Sequence, residues 1–203
     1  MTHAMGNYHH GDLRAELVRV SLELIAEQGV TGFSVAQVAK RAKVSAAAPY
    51  RHFPDRTSLL AAVAAAAACR LRAMVDSAVA DAGSDPVSRL ATALGAYTRF
   101  FIETRLGFPV LFAEGLADPK YTELHDHRRA MNDAYLVLGL EVSPTPAAAL
   151  ELLEQLYAQS HGYGELYLDG VYARMGYTPD LVVTKATAAA RLVIEAHRAA
   201  GQR

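Results

Sequence analysis

Cysteine is nearly absent: Cys69 is the single one in 203 residues. No intramolecular disulfide can form and no cysteine-rich zinc site can be built, which fits a reducing compartment. Neither sign of charge is in excess, with 20 Lys and Arg against 21 Asp and Glu and a formal net charge of −1. A polycation that coats nucleic acid without selectivity is thereby excluded, and a nucleic-acid role requires a local basic patch. No unbroken apolar run approaches the ~20 residues of a membrane helix. The longest, Leu59 to Cys69, is mostly alanine and is closed by Arg70 and Arg72. Asn7, His9 and His10 stand where a secretory signal needs an apolar stretch. Catalytic signatures are missing too: there is no Gly-x-Ser-x-Gly elbow, no Gly-rich loop before Lys-Ser/Thr and no His-Glu-x-x-His. His125 and His127 lie ~200° apart on a helix and cannot chelate one ion. The expectation is a cytoplasmic protein that is not an enzyme, with no metal, cofactor or membrane partner.

Alanine is what the chain has in quantity, 39 residues by count. It is the strongest helix former, and long Val/Ile/Thr alternation is missing, so the fold class is all-α. A cap residue followed by proline marks helix starts at Asp85-Pro86, Asp118-Pro119, Thr145-Pro146 and Thr178-Pro179, and Gly29 and Gly83 mark ends. About nine helices follow: 11–28, 34–41, 45–52, 55–82, 86–105, 107–116, 119–140, 146–170 and 179–199. The alanine runs lie inside helical periodicity as close-packing faces, and Cys69 among them is expected to be buried and inert.

Charge divides the chain. Residues 33–60 hold five basic side chains (Lys40, Arg41, Lys43, Arg51, Arg56) and one acid (Asp55), a local +4, whereas residues 61–203 hold 13 basic and 16 acidic residues, a local −3. Within the basic unit, Ser34-Val35-Ala36-Gln37 reads as a capping box flanked by a Phe33–Val38 staple. Ala42-Lys43-Val44 is a tight turn, and Ser45 can cap a second short helix. Two short helices joined by such a turn describe a helix-turn-helix. The second presents Tyr50, Arg51 and His52, and Arg56 opens the long helix behind it. Tyr50, His52 and Arg56 can donate to phosphates on the walls of a major groove.

His9-His10-Gly11-Asp12-Leu13-Arg14, Ala26-Glu27-Gln28-Gly29, Phe33 to Ala39, Val44-Ser45, Ala48-Pro49-Tyr50-Arg51-His52-Phe53-Pro54-Asp55-Arg56 and Leu59-Leu60 together closely resemble the TetR-family DNA-binding domain. The resemblance covers residues 9–65. Tyr157-Ala158-Gln159-Ser160-His161-Gly162 further looks like the Trp-x-x-x-His-Gly signature of one TetR C-terminal class, with Tyr157 in place of tryptophan. The resemblance implies a helix-turn-helix DNA-binding domain at 1–54 and a helical ligand-binding and dimerisation domain at 55–203. It implies a homodimer through helices near 146–170 and 179–199, a double-stranded DNA operator and an unidentified small-molecule effector. It places Ser34 on phosphate, Ser45, Ala46 and Ala47 at base edges, Tyr50, His52 and Arg56 on the backbone, and Arg14 with the His9-His10 arm near flanking DNA. Two departures stand out. Lys43 occupies the turn position where the family usually has glycine, which costs ~1 kcal/mol if the left-handed conformation is kept but adds a cation near DNA. Ala46, Ala47 and Ala48 carry no hydrogen-bonding side chains, so base readout falls to Ser45, Tyr50, Arg51 and DNA deformability, and Pro49 removes a backbone donor.

The body holds 12 of the 16 aromatic residues. Tyr97, Phe101, Phe108, Phe112, Met131, Tyr135, Tyr157 and His161 are the candidate lining of an apolar ligand pocket, with core packing the alternative for each. Tyr157, His161 and Glu165 recur every four residues on one face, and His161 meets either a ligand or a nearby carboxylate or backbone carbonyl. Gly162 and Gly164 suit a dimer seam or a pocket wall. The function this implies is a ligand-responsive transcriptional regulator, most simply a repressor. The rivals are a constitutive DNA-binding dimer and an all-helical enzyme.

Overall fold

The computed structural model describes residues 10–201 and the side chains of residues 13–201. The His9 and His10 side chains, expected near flanking DNA, lie outside the described residues. Among these there are nine α-helices, one 3-10 helix and no strand. The first unit is α1 (His10–Gly32), α2 (Val35–Arg41) and a 3-10 turn (Pro49–Arg51). The body follows as α3 (Arg56–Asp81), α4 (Pro86–Thr104), α5 (Phe108–Leu111), α6 (Thr122–Leu140), α7 (Pro146–Leu168), α8 (Val171–Arg174) and α9 (Pro179–Gly201).

Local signals in the sequence account for most of the boundaries. Gly29 adopts φ 75°, ψ 171° and breaks α1 one turn before its end. Ser34 accepts from the Gln37 backbone at 3.3 Å and opens α2, a cap worth ~1 kcal/mol. The expected return bond from Gln37 to the Ser34 backbone is replaced: Ser34 Oγ donates to Gln37 Oε1 (2.9 Å), and Gln37 Nε2 donates to Gln28 (3.3 Å). Asp55 and Ser58 form a full capping box on α3. Asp85, Thr145 and Thr178 accept from the backbone three residues on, each ahead of a proline that opens its helix.

Four expectations change. Asp118-Pro119 does not start a helix. Asp118 accepts from the Lys120 backbone at 3.0 Å in a turn, and α6 begins at Thr122. Helix 107–116 shrinks to Phe108–Leu111, because the chain turns through Gly115 at φ 82°. A further short helix, α8, follows Gly170 at φ 75°. Cys69 is exposed, on the outward face of α3 beside exposed Arg70.

α3 carries the architecture. Its Leu59, Leu60, Val63, Ala64, Ala67, Ala68 and Leu71 are buried, against α1 on one side and against α4 and α6 on the other. By length and composition it is apolar enough to cross a membrane, and 56% of its most apolar stretch is buried within the fold. The alanines let neighbouring helices approach closely, and the Cβ-to-Cβ packing of small residues leaves little void. α4 lies at the centre of the body, packed on α3, α7 and α9.

Candidate nucleic-acid interface and ligand cleft

The turn after α2 holds its shape by an unusual residue. Lys43 sits at φ 55°, in the left-handed region, and its neighbour Val44 donates back to Ala39 O at 3.0 Å. Beyond it, residues 45–52 do not form the α-helix expected of them. In an α-helix the Ser45 carbonyl would accept from the nitrogen of residue 49, and Pro49 has no hydrogen there. Ser45 O instead accepts from Ala48 N at 3.0 Å, and Arg51 N and His52 N close further three-residue turns on Ala48 O and Pro49 O. The expected Ser45 cap gives way to this carbonyl bond, and the residue that precedes the 3-10 turn is Ala48. The result is a tight 3-10 coil anchored by buried Pro49 and Phe53.

That coil leaves Ser45, Ala46, Ala47, Tyr50 and Arg51 exposed, Tyr50 by 53%. The basic residues around it divide into two groups. Arg41 forms a two-pronged pair with Glu27 of α1 (2.6 and 2.8 Å). Arg56 is drawn inward: its Nη2 donates to Val30 O at 2.7 Å, its Nε donates to Phe33 O at 3.2 Å, and its guanidinium lies 5.4 Å from the Phe33 ring centroid. Lys40, Lys43 and Arg51 are exposed and have no ion-pair partner among the described residues. Lys40 was not singled out by the sequence; its position in the last turn of α2, beside the Lys43 bend, was the available signal. Arg14 stacks 5.3 Å from the Phe53 centroid and reaches Glu123 of α6 at 3.6 Å. With half-buried His52 and Lys120 it walls a groove of about 240 Å³ between the first unit and the body. Ser34 is half-buried at the start of α2.

In the body, seven of the eight candidate ligand residues form one continuous aromatic stack. Tyr97 and Phe101 of α4 meet Phe108 of α5 and His161 of α7, and Phe108 bridges to Phe112 and Tyr157, which contacts Tyr135 of α6. Met131 is buried in the same core. His161 is the polar centre. Burial lowers its pKa, with the nearby Glu165 carboxylate opposing, so the ring is read as neutral. Glu165 lies 3.3 Å from Nε2 and can only accept, so the proton sits on Nε2. Nδ1 then accepts from the Tyr97 hydroxyl at 2.9 Å. Burial pushes the Tyr97, Tyr135 and Tyr157 phenols well up, so all three are neutral donors.

Phe101 is held flat by glycines. A Cβ on Gly164 would come within 2.4 Å of its ring and a Cβ on Gly107 within 2.5 Å. Gly164 is thus a packing site for this ring, while nothing lies within 4 Å of a Cβ on Gly162. Tyr97, Phe101, Met131 and Tyr135 are buried as core. Phe108, Phe112 and Tyr157 instead reach an open cleft of about 380 Å³ between α5, α6 and α7. Phe112 is 52% exposed there. Sequence reading named Tyr157 but passed over Asn132, Asp133, Leu136, Leu150, Leu153 and Glu154 of this cleft, because one helical flank lines it and the helix period alone does not say which flank faces a gap. Behind Phe112, the Arg128 guanidinium stacks at 5.0 Å and donates to Leu111 O and to Leu116 O (3.2 Å). The turn so held abuts α3: a Cβ on Gly115 would lie 3.2 Å from Thr57 Cγ2. The turn beside the cleft therefore lies close to the N-terminal end of α3.

Among known proteins, residues 17–63 match the bacterial regulatory proteins of the tetR family. No curated protein matches the sequence. Solved structures match over nearly the whole chain. A protein with unknown function from Rhodococcus sp. RHA1 is 31% identical, with a TM-score of 0.72 over 92% of this chain and 97% of its own. A tetR-family transcriptional regulator from Streptomyces coelicolor is 21% identical, with a TM-score of 0.68 over 98% of this chain and 86% of its own. A TetR variant from Acinetobacter baumannii in complex with minocycline is 16% identical, with a TM-score of 0.61 over 96% of this chain and 99% of its own. The fold is therefore that of the TetR regulators, an N-terminal helix-turn-helix followed by a larger helical body. Residues 17–63 thus carry the segment shared by the tetR family of bacterial regulatory proteins, and over the rest of the chain the likeness is one of fold.

Proposed function

We propose that this chain is a sequence-specific, ligand-responsive repressor that binds a palindromic operator as a homodimer in the cytoplasm. The observation that carries the reading is the arrangement of charge around the 45–51 coil. Of five arginines and lysines in the basic unit, Arg41 and Arg56 make contacts within the fold, and Lys40, Lys43 and Arg51 are exposed and unpaired among the described residues, in the exposed 45–51 tip or near it in sequence. That tip fits a groove floor, where Ala46 and Ala47 can touch thymine methyls and Ser45, Tyr50 and Arg51 supply donors, while the cations meet the phosphate walls. Ser34, His52, Arg14 and the remaining nitrogen of Arg56 add backbone contacts at the margins.

One such tip gives few base contacts, so two copies at successive major grooves are needed. The exposed stripe Leu181, Ala188, Leu192 and Ala199 on α9, opposite buried Val182, Ala186, Ala190 and Ile194, supports pairing there. So does the α7 stripe of exposed Gln155, Ala158 and Leu166 with half-buried Gly162. The effector enters the α5–α6–α7 cleft. It displaces Phe112 and the Arg128-held turn, and that turn bears on Thr57 at the start of α3, which sets the spacing of the two tips. The A. baumannii TetR complex with minocycline supports a small-molecule effector on this fold. By linkage, DNA must weaken effector binding by the factor with which effector weakens DNA binding.

The test is selection of bound fragments from genomic DNA with the purified chain, followed by titration of the enriched sequence. The expected result is an inverted repeat whose affinity falls steeply with salt and is lost in Tyr50→Ala without loss of thermal stability. No enrichment, or full operator affinity in Tyr50→Ala, overturns the reading.

A further inference from the structure

The α5–α6–α7 cleft is unevenly charged. Its walls are the side chains of Phe108, Phe112, Leu136, Leu150, Leu153 and Tyr157. Three polar side chains complete it, Asn132, Asp133 and Glu154, and two of the three are carboxylates, one from α6 and one from α7. No Lys, Arg or His is among the lining residues. Neither carboxylate has an ion-pair partner among the described residues, although Arg129 stands four residues before Asp133 on α6. The cation behind the wall, Arg128, directs two of its nitrogens at the Leu111 and Leu116 carbonyls.

We infer that this cleft takes a lipophilic monocation: an aromatic body carrying one ammonium group. The inference rests on the reading of the cleft as the effector site and names the chemistry that site selects. The apolar walls reward an apolar body, and about 380 Å³ lies in the usual range for small-molecule sites, roughly 300–1,000 Å³. An anion entering beside Asp133 and Glu154 meets like charge, and a neutral ligand gains nothing from either carboxylate. A cation gains both carboxylates and the ring faces of Phe108 and Tyr157. The Arg128 guanidinium lies 5.0 Å from the Phe112 centroid, so the ring attraction for a bound cation falls to the other aromatic walls. A second copy does not compete for the space. Leu150, Leu153, Glu154 and Tyr157 lie on a flank of α7 about a third of a turn from the Gln155–Ala158–Gly162–Leu166 stripe, so pairing on that stripe leaves the cleft open.

The probes are 1-naphthylmethylammonium, 1-naphthylmethanol and 1-naphthoate, titrated calorimetrically into the full chain. The ammonium is expected to bind about tenfold tighter than the alcohol, and the carboxylate weakest. Asp133→Asn and Glu154→Gln, both at exposed positions, should each reduce ammonium affinity about threefold or more and leave alcohol affinity unchanged. Phe112→Ala should weaken both ligands. Alcohol binding as tight as ammonium, preferred binding of the naphthoate, unchanged discrimination in both carboxylate variants, or no binding of any probe overturns the inference. Operator affinity measured with the same ammonium separates the two claims. Carboxylate-dependent binding that leaves DNA affinity unchanged upholds the cation site and sinks the effector reading. Operator release by a ligand insensitive to both substitutions does the reverse.

Discussion

Arg56 and Lys43 exchange the roles that their spacing suggests. Arg56 opens the long helix beside the DNA-facing coil, yet two of its nitrogens tie down the carbonyls of Val30 and Phe33, where α1 turns into α2. Removing it should loosen the unit as well as the proposed DNA contact. Lys43 sits in the bend itself, at φ 55°, with its ammonium free in solvent. A lysine there is strained by about 1 kcal/mol relative to glycine, and on the proposed reading its charge meets a phosphate. Lys43→Gly should therefore raise the stability of the chain by about 1 kcal/mol in urea unfolding, while reducing the slope of log K against log salt by about 1.8, for two phosphates per dimer. An unchanged slope removes Lys43 from the DNA contacts.

At the scale of elements, short helices answer to single residues. Pro49 turns the segment 45–52 from an α-helix into a 3-10 coil by withholding the one N–H that the Ser45 carbonyl requires. In the body, a single ring sets how α4, α5 and α7 meet. Phe101 is backed by Gly107 on one side and Gly164 on the other and stacks on His161 at 4.6 Å between centroids. The ring cannot retreat from a new methyl on α7, because the chain before α5 blocks it. Gly164→Ala should cost about 1–3 kcal/mol of stability, the range of core overpacking. Phe101→Leu placed in the same chain should restore part of that loss, read as a recovery in the midpoint of thermal unfolding. Gly162→Ala, with open space around its Cβ, should raise the midpoint of the isolated chain slightly, by helix propensity alone, and so serves as the control.

At the scale of the molecule, the exposed apolar stripe on α9 is the feature that a single copy does not explain. Leu192 is 68% exposed, opposite a fully buried line that packs on α4 and α7. Leu192→Glu places a charge in the centre of the proposed seam without touching that buried line. It should shift the chain from dimer to monomer in sedimentation, leave the unfolding of the monomer intact, and weaken operator binding more than tenfold by removing the second half-site. A wild-type chain that sediments as a monomer at micromolar concentration counts against two-site DNA binding altogether.

The helical class, the capped and proline-opened helix starts at Asp85, Thr145 and Thr178, the helix-turn-helix around Ser34 and the aromatic wealth of the body all follow from the sequence. Each depends on residues within a turn or two of one another, where side-chain chemistry and the helix period leave few choices. The Lys43 bend belongs with these, because a four-residue turn of that kind dictates its own backbone. What only the tertiary structure decided is which of those residues remain available. Arg41 and Arg56 are taken up by Glu27, Val30 and Phe33, and the aromatic candidates divide into core and cleft according to how α4, α5, α6 and α7 cross. Cys69 faces outward for the same reason: the helices that bury the alanines of α3 approach from the other sides. Those outcomes are set by partners distant along the chain, and a periodic pattern shows that a face is apolar without showing what, if anything, will come to cover it.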